Sequence, residues 1–381
     1  MTTTNAAACT QSRVARLYAD NFRCLQSIDV ALAPGLTVFH GANGQGKTSL
    51  LEATGWASAA RSLRHTPDNA VVRSGCDTAV VREEIEQGER RVMFEAEIRA
   101  SGRNRMLVNR KAVQRTRDLF GVLRTTVFSP DDLALVKASP QHRRTFIDEL
   151  LAGLSPRYVA ALSDFERVLR QRNALLRGGA RHQDGRETLA AFDEQLVAAA
   201  TEIVRGRLRL LDALTEPLLR CTRRLSGRDE TVVGIAYTSD WSDTELTLAD
   251  VDDVDARLRD ALERTREHEL DRAVTLVGPH RDDLVMTLNG LDARVQASQG
   301  EQRTLALALR LAGHEVTSTI TATVPVLLLD DVFSELDATR AEALLTVLPP
   351  GQTLLTTAGA LPSGLTMEAV YTVDAGRVVE G

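Results

Sequence analysis

Apolar and polar positions change period repeatedly along this chain of 381 residues, and each change predicts a different element. Over residues 17–32 (LYADNFRCLQSIDVAL) short alternating runs flank a break, which predicts a strand, a turn and a second strand leading to Pro34 and Gly35. Residues 36–40 (LTVFH) form a third β-rich run, and residues 49–53 (SLLEA) are good helix-forming sequence. From 79 to 113, apolar and charged residues alternate around Gly88 and the turn at 101–104, the pattern of an antiparallel meander with one wet face. Residues 125–148 run from strand to loop to helix, with Pro130 and Pro140 at the breaks. Apolar spacings of three and four then predict two long helices, 157–176 and 187–225, turning at 178–185 into an antiparallel hairpin too short for an extended coiled-coil arm. A strand at 231–237, a helix at 251–270 and a strand and loop at 275–283 follow. Residues 295–311 place a small polar loop before an apolar helix, and 324–329 (VPVLLL) is a continuous apolar strand of the kind buried in a parallel sheet. Short strands at 353–357, 369–373 and 377–379 end the pattern.

Composition narrows the class. With 43% hydrophobic and 26% charged residues and no apolar run near the ~20 residues of a membrane span, the chain reads as globular and not membrane-integral. Residues 1–12 have neither a basic start nor an apolar segment, so they predict a frayed tail and no secretory signal. Cys9, Cys24, Cys76 and Cys221 are scattered without a C-x-x-C, which disfavours a zinc site or disulfide framework and suits a reducing cytoplasm. The net charge of −6 argues against a nucleic-acid partner, yet residues 140–228 carry 16 Arg against 11 Asp plus Glu, an excess of +5. That excess fits either an anionic partner, with Arg170, Arg205 and Arg209 as candidate contacts, or a solvated helix surface laced with ion pairs.

Chemistry concentrates in distant pieces. Gly41, Ala42, Asn43, Gly44, Gln45, Gly46, Lys47 and Thr48 fit the phosphate loop G-x-x-x-x-G-K-[ST] at every fixed position, in the strand-to-helix setting the motif requires. There the glycines let backbone N–H groups wrap phosphates at a helix N-terminus. Lys47 is placed to reach the β- and γ-phosphates, and Thr48 to put its hydroxyl on Mg²⁺. A Gly-rich turn without function is the competing reading, and the flanking elements weigh against it. Arg23 fits two roles, a cation for the nucleotide and an exposed turn residue.

Asp330 ends the apolar strand, where a carboxylate emerges beside the Mg²⁺ that Thr48 holds, and the adjacent Asp331 is the candidate to polarise an attacking water. Vicinal acids after a strand also serve as plain caps. Ser298 and Gly300 stand just ahead of a helix, making a second anion-binding helix end. A single nucleotide within one chain uses only the first, so the second either serves the γ-phosphate held by another copy or is a simple N-cap.

Together, GANGQGKT, SQGEQ before a helix, LLLDD and the SELD ending at Asp337 resemble the ATP-binding-cassette ATPase head of the structural-maintenance-of-chromosomes type. More narrowly, PDDLALVKASPQHRRTFID from Pro130, GPHRDD from Gly278 and LLLDDVFSELDATRAEAL from Leu327 resemble the RecF family of bacterial recombination-repair proteins, in its order and spacing from Leu17 onward. The resemblance implies an α/β fold, an ABC-type P-loop ATPase head with an inserted, mainly helical second lobe. Residues 1–132 and 271–381 would form the ATPase lobe, and 133–270 the helical lobe with its Arg-rich hairpin. It further implies a weak ATPase used as a switch, with ATP and Mg²⁺ as cofactors, Asp331 and Lys47 in catalysis, and Thr48 and Asp330 on the metal. Ser298 and Gly300 would be the signature, and Asp337 the loop that crosses a dimer interface.

Implied partners are single-stranded and gapped double-stranded DNA, a second copy bound through ATP, the RecR and RecO mediators and the RecA recombinase, in recombinational repair and replication restart. Three departures stand out. Thr356 and Thr357 occupy the place where transporter cassettes carry a histidine; Asp331 replaces the usual catalytic Glu, suggesting slow turnover; and residues 129–132 stand where a lobe-linking Gln is usual. A transporter nucleotide-binding subunit, a small-molecule P-loop phosphotransferase and a head whose long coiled coil serves a nuclease are the rival readings. The first leaves the Arg-rich hairpin without a membrane partner, the second leaves SQGEQR without a role, and the absent C-x-x-C hook and short helices count against the third.

Overall fold

This computed structural model of the chain describes residues 9–63, 66–178, 183–359, 361 and 365–380, the side chains of 116, 117, 183, 335 and 338 excepted. In chain order the first part holds β1 (Thr10–Phe22), β2 (Leu25–Ala31), β3 (Leu36–His40), α1 (Lys47–Thr54), α2 (Trp56–Ala59), β4 (Thr78–Gln87), β5 (Arg90–Arg99), β6 (Arg105–Val108), β7 (Lys111–Ala112) and β8 (Thr125–Phe128). The middle holds α3 (Ala134–Lys137), α4 (Pro140–Leu154), α5 (Pro156–Gly178), α6 (Gln183–Ser226), β9 (Val233–Thr238), α7 (Val254–Arg272), β10 (Asp283–Leu288), β11 (Leu291–Asp292), α8 (Ala293–Gln296) and α9 (Gln299–Thr321). The last part holds β12 (Thr323–Val324), β13 (Val326–Asp330), α10 (Ala338–Val347), β14 (Thr353–Thr357), β15 (Ala369–Asp374) and β16 (Arg377–Glu380).

Two compact units result: Met1–Asp132, Cys221–Asp229 and Ala306–Gly381 in one, and Leu133–Arg220 and Glu230–Leu305 in the other. One division falls after Asp132; residues 271–305 cluster with the helical unit, where β10 pairs with β9, and residues 221–229 cluster with the first unit. The strand expected within 275–283 is a loop, and the strand itself is β10. The expected tail at 1–12 is corrected at its end, since β1 begins at Thr10 and pairs there with Thr323; residues 1–8 lie outside the described residues. So do residues 179–182 of the expected hairpin turn.

The first unit contains a six-stranded sheet ordered β16-β15-β3-β14-β13-β8 and a seven-stranded sheet running β12-β1-β4-β5-β6-β7 with β2 on β1. In the first, β3, β8, β13, β14 and β15 are mutually parallel. Both β13 and β14 are buried at every position, as parallel strands covered on two faces must be. The core joins side chains from both sheets to α1 and α2, including Leu17, Phe39, Leu50, Phe94 and Leu328. Phe22 meets Trp56 edge to face at 5.7 Å between ring centres.

In the helical unit, α5 and α6 run antiparallel, as the pairs Arg157–Glu202 (2.6 Å) and Arg172–Asp193 (2.8 Å) require. Arg172 is fully buried; its guanidinium donates to Asp193, to Thr275 Oγ1 (2.8 Å) and to Glu269 (2.5 Å), tying α5, α6, α7 and the loop after α7 together. A second knot explains GPHRDD. Arg207 donates to both oxygens of Asp148 (2.9 Å each) and to Pro279 O (2.8 Å), while Tyr237 and Trp241 donate to Asp282. Burial raises the Asp282 carboxyl to about 6 against those hydrogen bonds, and burial lowers His280 to about 4.

Replacing Arg172 by Leu leaves buried Glu269 without its cation and Asp193 with Arg266 in place of two, and is expected to destabilise the chain by about 3–5 kcal/mol. Arg167→Ala, which breaks the exposed contacts with Asp164 and Gln171, is expected to cost less than about 0.5 kcal/mol. Urea unfolding followed by helical circular dichroism checks this; equal midpoints for the two variants would contradict it.

Candidate functional site

At the carboxyl end of β3 the chain enters the loop 41–48 and then α1. Gly46 caps α1 with φ 110°, and a Cβ there would approach Cys24 Sγ to 2.9 Å; one at Gly41 would meet Val373 O at 2.2 Å. These positions admit only glycine because the loop is clamped from two directions. On one side is the β1–β2 turn. On the other is the β15–β16 turn, where Ala375 N donates to Gln45 Oε1 (2.6 Å) and Gly376 N to Gln45 O (3.0 Å). The first intrahelical bond of α1 runs from Leu50 N to Gly46 O, so the N–H groups before it have no acceptor within the helix. Lys47 is buried, its Nζ donating to Gly41 O (2.7 Å) and Ala42 O (2.9 Å). A single mobile ammonium thus stands among neutral donors, the chemistry of a phosphate cradle.

Register brings the other pieces to the same sheet edge. In β14, Thr356 pairs with Asp330 of β13 on one side and with Phe39 of β3 on the other. Asp330 Oδ1 accepts from Thr48 Oγ1 (2.9 Å) and from Thr356 Oγ1 (2.8 Å). Thr356 is fully buried, and its hydroxyl also accepts from Asp331 N (3.0 Å). The loop threonine and strand aspartate expected on the metal are therefore in direct contact. No cluster of three or more His, Cys, Asp or Glu side chains fit for a metal exists among the described residues. A hydroxyl and a carboxylate are nonetheless hard oxygen ligands that suit Mg²⁺, which takes one or two protein ligands and completes its shell with water and phosphate oxygens.

Asp331 adopts the left-handed conformation (φ 48°, ψ 33°), uncommon outside glycine, and its Oδ1 is buried without a hydrogen-bond partner. The residue is thereby turned out of the strand direction, with one carboxylate oxygen left unsatisfied.

Other expected residues have local partners. The Arg23 guanidinium is committed to Glu52 of α1, in an ion pair with both carboxylate oxygens, and to Thr66 Oγ1 (2.8 Å). In the helical unit, Ser298 and Glu301 form a reciprocal capping box on α9: Ser298 N and Oγ donate to Glu301 Oε2 (2.9 and 2.7 Å), and Glu301 N donates to Ser298 Oγ (3.3 Å). Gly300 lies in the first turn of α9. Asp337 caps α10 by accepting from Arg340 N (2.9 Å), a bond that lowers its carboxyl below the usual range. At the place of the lobe-linking Gln, Asp132 is buried and accepts from Ser129 N (2.8 Å) and from Arg310.

The hairpin arginines differ from a free basic face. Arg205 is spent on Val251 O (2.7 Å), Asp252 O and Asp255, Arg172 and Arg207 are buried, and Arg170 lies 3.9 Å from Glu166; Arg209 is exposed. Sequence reasoning missed Thr356, treating it only as the absence of a histidine. Its place beside Asp330 follows from the pairing of β14 with β13 and is not spelled in the sequence.

With the geometry in place, the chain can be set beside known proteins. Residues 13–355 match the family model described as the RecF/RecN/SMC N terminal domain. The chain is 41% identical to the DNA replication and repair protein RecF of Frankia alni, over 94% of this chain and 97% of that one. It is 42% identical to that of Kineococcus radiotolerans, over 91% and 92%. Among solved structures it resembles the recombination mediator protein RecF with ATP, of the RecFOR pathway, with a TM-score of 0.89, 28% identity and coverage of 99% and 100%. The Smc head of Pyrococcus furiosus shares the fold alone, at a TM-score of 0.58 and 14% identity, over 97% and 96%. The α/β ABC-type head with an inserted helical lobe, expected from sequence, is the fold observed. The loop at 41–48, the strand-end Asp330 beside it, the capped start of α9 and the full-length similarity converge on one conclusion: the chain belongs to the RecF family of DNA replication and repair proteins.

Proposed function

We propose that this chain is an ATP-switched DNA-binding protein of recombinational repair and replication restart, in which two copies close on ATP at gapped or single-strand/double-strand DNA and reopen after slow hydrolysis. The observation that carries the reading is the contact of Thr48 with Asp330 beside Asp331, whose Oδ1 has no hydrogen-bond partner, in a chain similar to a RecF solved with ATP. Loop N–H groups and Lys47 would hold the β- and γ-phosphates. Thr48 and Asp330 would hold Mg²⁺, which supplies charge neutralisation between those phosphates. Asp331 would accept the proton of the attacking water, and Thr356 would keep Asp330 and the Asp331 backbone in place.

The capped, exposed start of α9 supports a role for Ser298 and Gly300 toward the γ-phosphate held by a second copy, with Asp337 at the crossing loop. Family membership supports cytoplasmic work with RecR, RecO and RecA. The transporter and phosphotransferase readings gain nothing from the relatives, which are RecF proteins over nearly their whole length; among the described residues no helix is long and apolar enough to cross a membrane.

Three sets of variants test this. Asp331→Asn is expected to lower single-turnover hydrolysis by about 10²–10⁴-fold, the usual weight of a general base, with nucleotide affinity nearly unchanged; Asp330→Asn should instead weaken Mg²⁺-dependent nucleotide binding. Hydrolysis at the parent rate in Asp331→Asn would place the base elsewhere.

Thr356→Val keeps the shape and removes the hydroxyl. It is expected to raise the Mg²⁺ concentration at half-maximal ATP binding and to slow turnover by about tenfold, the cost of a misplaced charged group, while Thr356→Ser restores both. A Ser variant as defective as Val would show that packing matters and the hydroxyl does not.

Ser298→Arg is expected to bind ATP like the parent yet fail to dimerise with it. Sedimentation of that variant with ATP decides, and a persistent dimer would remove the composite site.

A further inference from the structure

The outer edge of the seven-stranded sheet of the ATPase unit is built from β6 and β7, and it carries charge of one sign. Between Arg99 and Arg115 the chain has six cations and no acid, in a protein of net charge −6. Arg103, Arg105, Arg110, Lys111 and Arg115 are all exposed. Three acids of the neighbouring strands are paired: Glu95 faces Arg82 at 3.4 Å, Glu97 pairs with Arg99 at 2.7 Å, and Glu86 with Arg13 at 2.7 Å; Glu84 of β4 is exposed, and Asp118 accepts from Gln114 N (3.2 Å) and Arg115 N (3.0 Å) beside the hairpin.

Arg103 Nη2 lies 3.5 Å from Gln114 O, which gathers Arg103, Arg105 and Arg115 at one end of the β6–β7 hairpin. Arg110 and Lys111 stand at its turn, where Asn109 and Arg110 both have positive φ. The two groups are separated by the length of a four-residue strand, about 13 Å. A DNA strand carrying one phosphate per ~3.4 Å of axis presents about four over that length.

A cation or two on an edge strand commonly guards against edge-to-edge pairing. That role does not account for Arg103 and Arg115, which lie outside both strands. Residues 99–115 contain no aromatic side chain, so the surface lacks the stacking platform that unpaired bases use. It offers charge to a backbone and nothing to a base face.

We propose that this edge binds the phosphate backbone of duplex DNA. The placement rests on the DNA-binding reading above and moves the contact from the helical hairpin, whose arginines are largely paired or buried, to the ATPase unit.

The test is the affinity of the full-length protein for a labelled duplex, with ATP and Mg²⁺, across a salt series. Neutralising three contacts in R105Q/R110Q/K111Q is expected to reduce the slope of log affinity against log salt by about 2.7, at about 0.9 per phosphate contact, and to weaken low-salt binding at least about tenfold. The charge-conserving R105K/R110K/K111R should keep the parent slope, as should R167Q/R170Q/R209Q in the helical unit. An unchanged slope in R105Q/R110Q/K111Q, with the parent binding duplex normally, overturns the surface alone. Equal losses from the helical-unit variant show that only total charge matters and overturn it too. A parent protein that binds no duplex overturns both this placement and the DNA-binding reading. Anionic phospholipid vesicles bound more tightly than duplex, with the same loss on R105Q/R110Q/K111Q, would assign the edge to a membrane instead.

Discussion

Two hydroxyls share one carboxylate oxygen at the centre of the ATPase unit. Thr48 comes from the phosphate loop, Thr356 from β14, and both donate to Asp330 Oδ1. The contact exists only because β3, β14 and β13 lie side by side, parallel and in one register. A slip of one residue would turn every side chain of a strand to the opposite face, taking Thr356 or Asp330 out of the site. The buried apolar residues of β13 and β14 fix that register, so core packing and site geometry are one constraint. Asp331, just beyond, is then free to leave the strand in a left-handed conformation with one oxygen unsatisfied.

Much of this was legible in the sequence because it is local. The phosphate loop has fixed spacing and a strand-to-helix setting, and an unbroken apolar run ending in two aspartates marks a buried parallel strand whose end meets that loop. The capping box of Ser298 and Glu301 is likewise spelled within four residues. The role of Thr356 was not legible, since it depends on which strand lies beside which, and TLLTT says nothing about its neighbours. Charge misled for a related reason. The tally over residues 140–228 counts Arg172 and Arg207 as surface cations, whereas each is buried against carboxylates, Glu269 standing 97 positions beyond Arg172. The strongest run of one sign, 99–115, sat inside a meander whose alternation drew attention to its strands and away from its edge.

The division of the chain follows from hydrogen bonding as well. The sequence places a boundary after the helix ending near 270, yet β10 completes a small sheet with β9 and β11 and holds residues 271–305 in the helical unit. Helix α9 thereby begins with residues counted in the helical unit and ends with residues counted in the ATPase unit, where Arg310 grips Asp132, the last residue before the chain leaves that unit. Arginines thus serve different ends here: buried ones cross-brace helices, Arg310 fastens a chain crossing, and those of the β6–β7 edge remain in solvent.

On the proposed reading, the loop at 41–48 and the separate capped start of α9 on the same chain serve as half of a two-copy arrangement, closed by contacts to a γ-phosphate that ADP cannot offer. Sedimentation velocity of the parent protein with Mg²⁺ and either ADP or ATP tests this most directly. A monomer with ADP and a dimer with ATP is the predicted result. The same state of association with both nucleotides would contradict it.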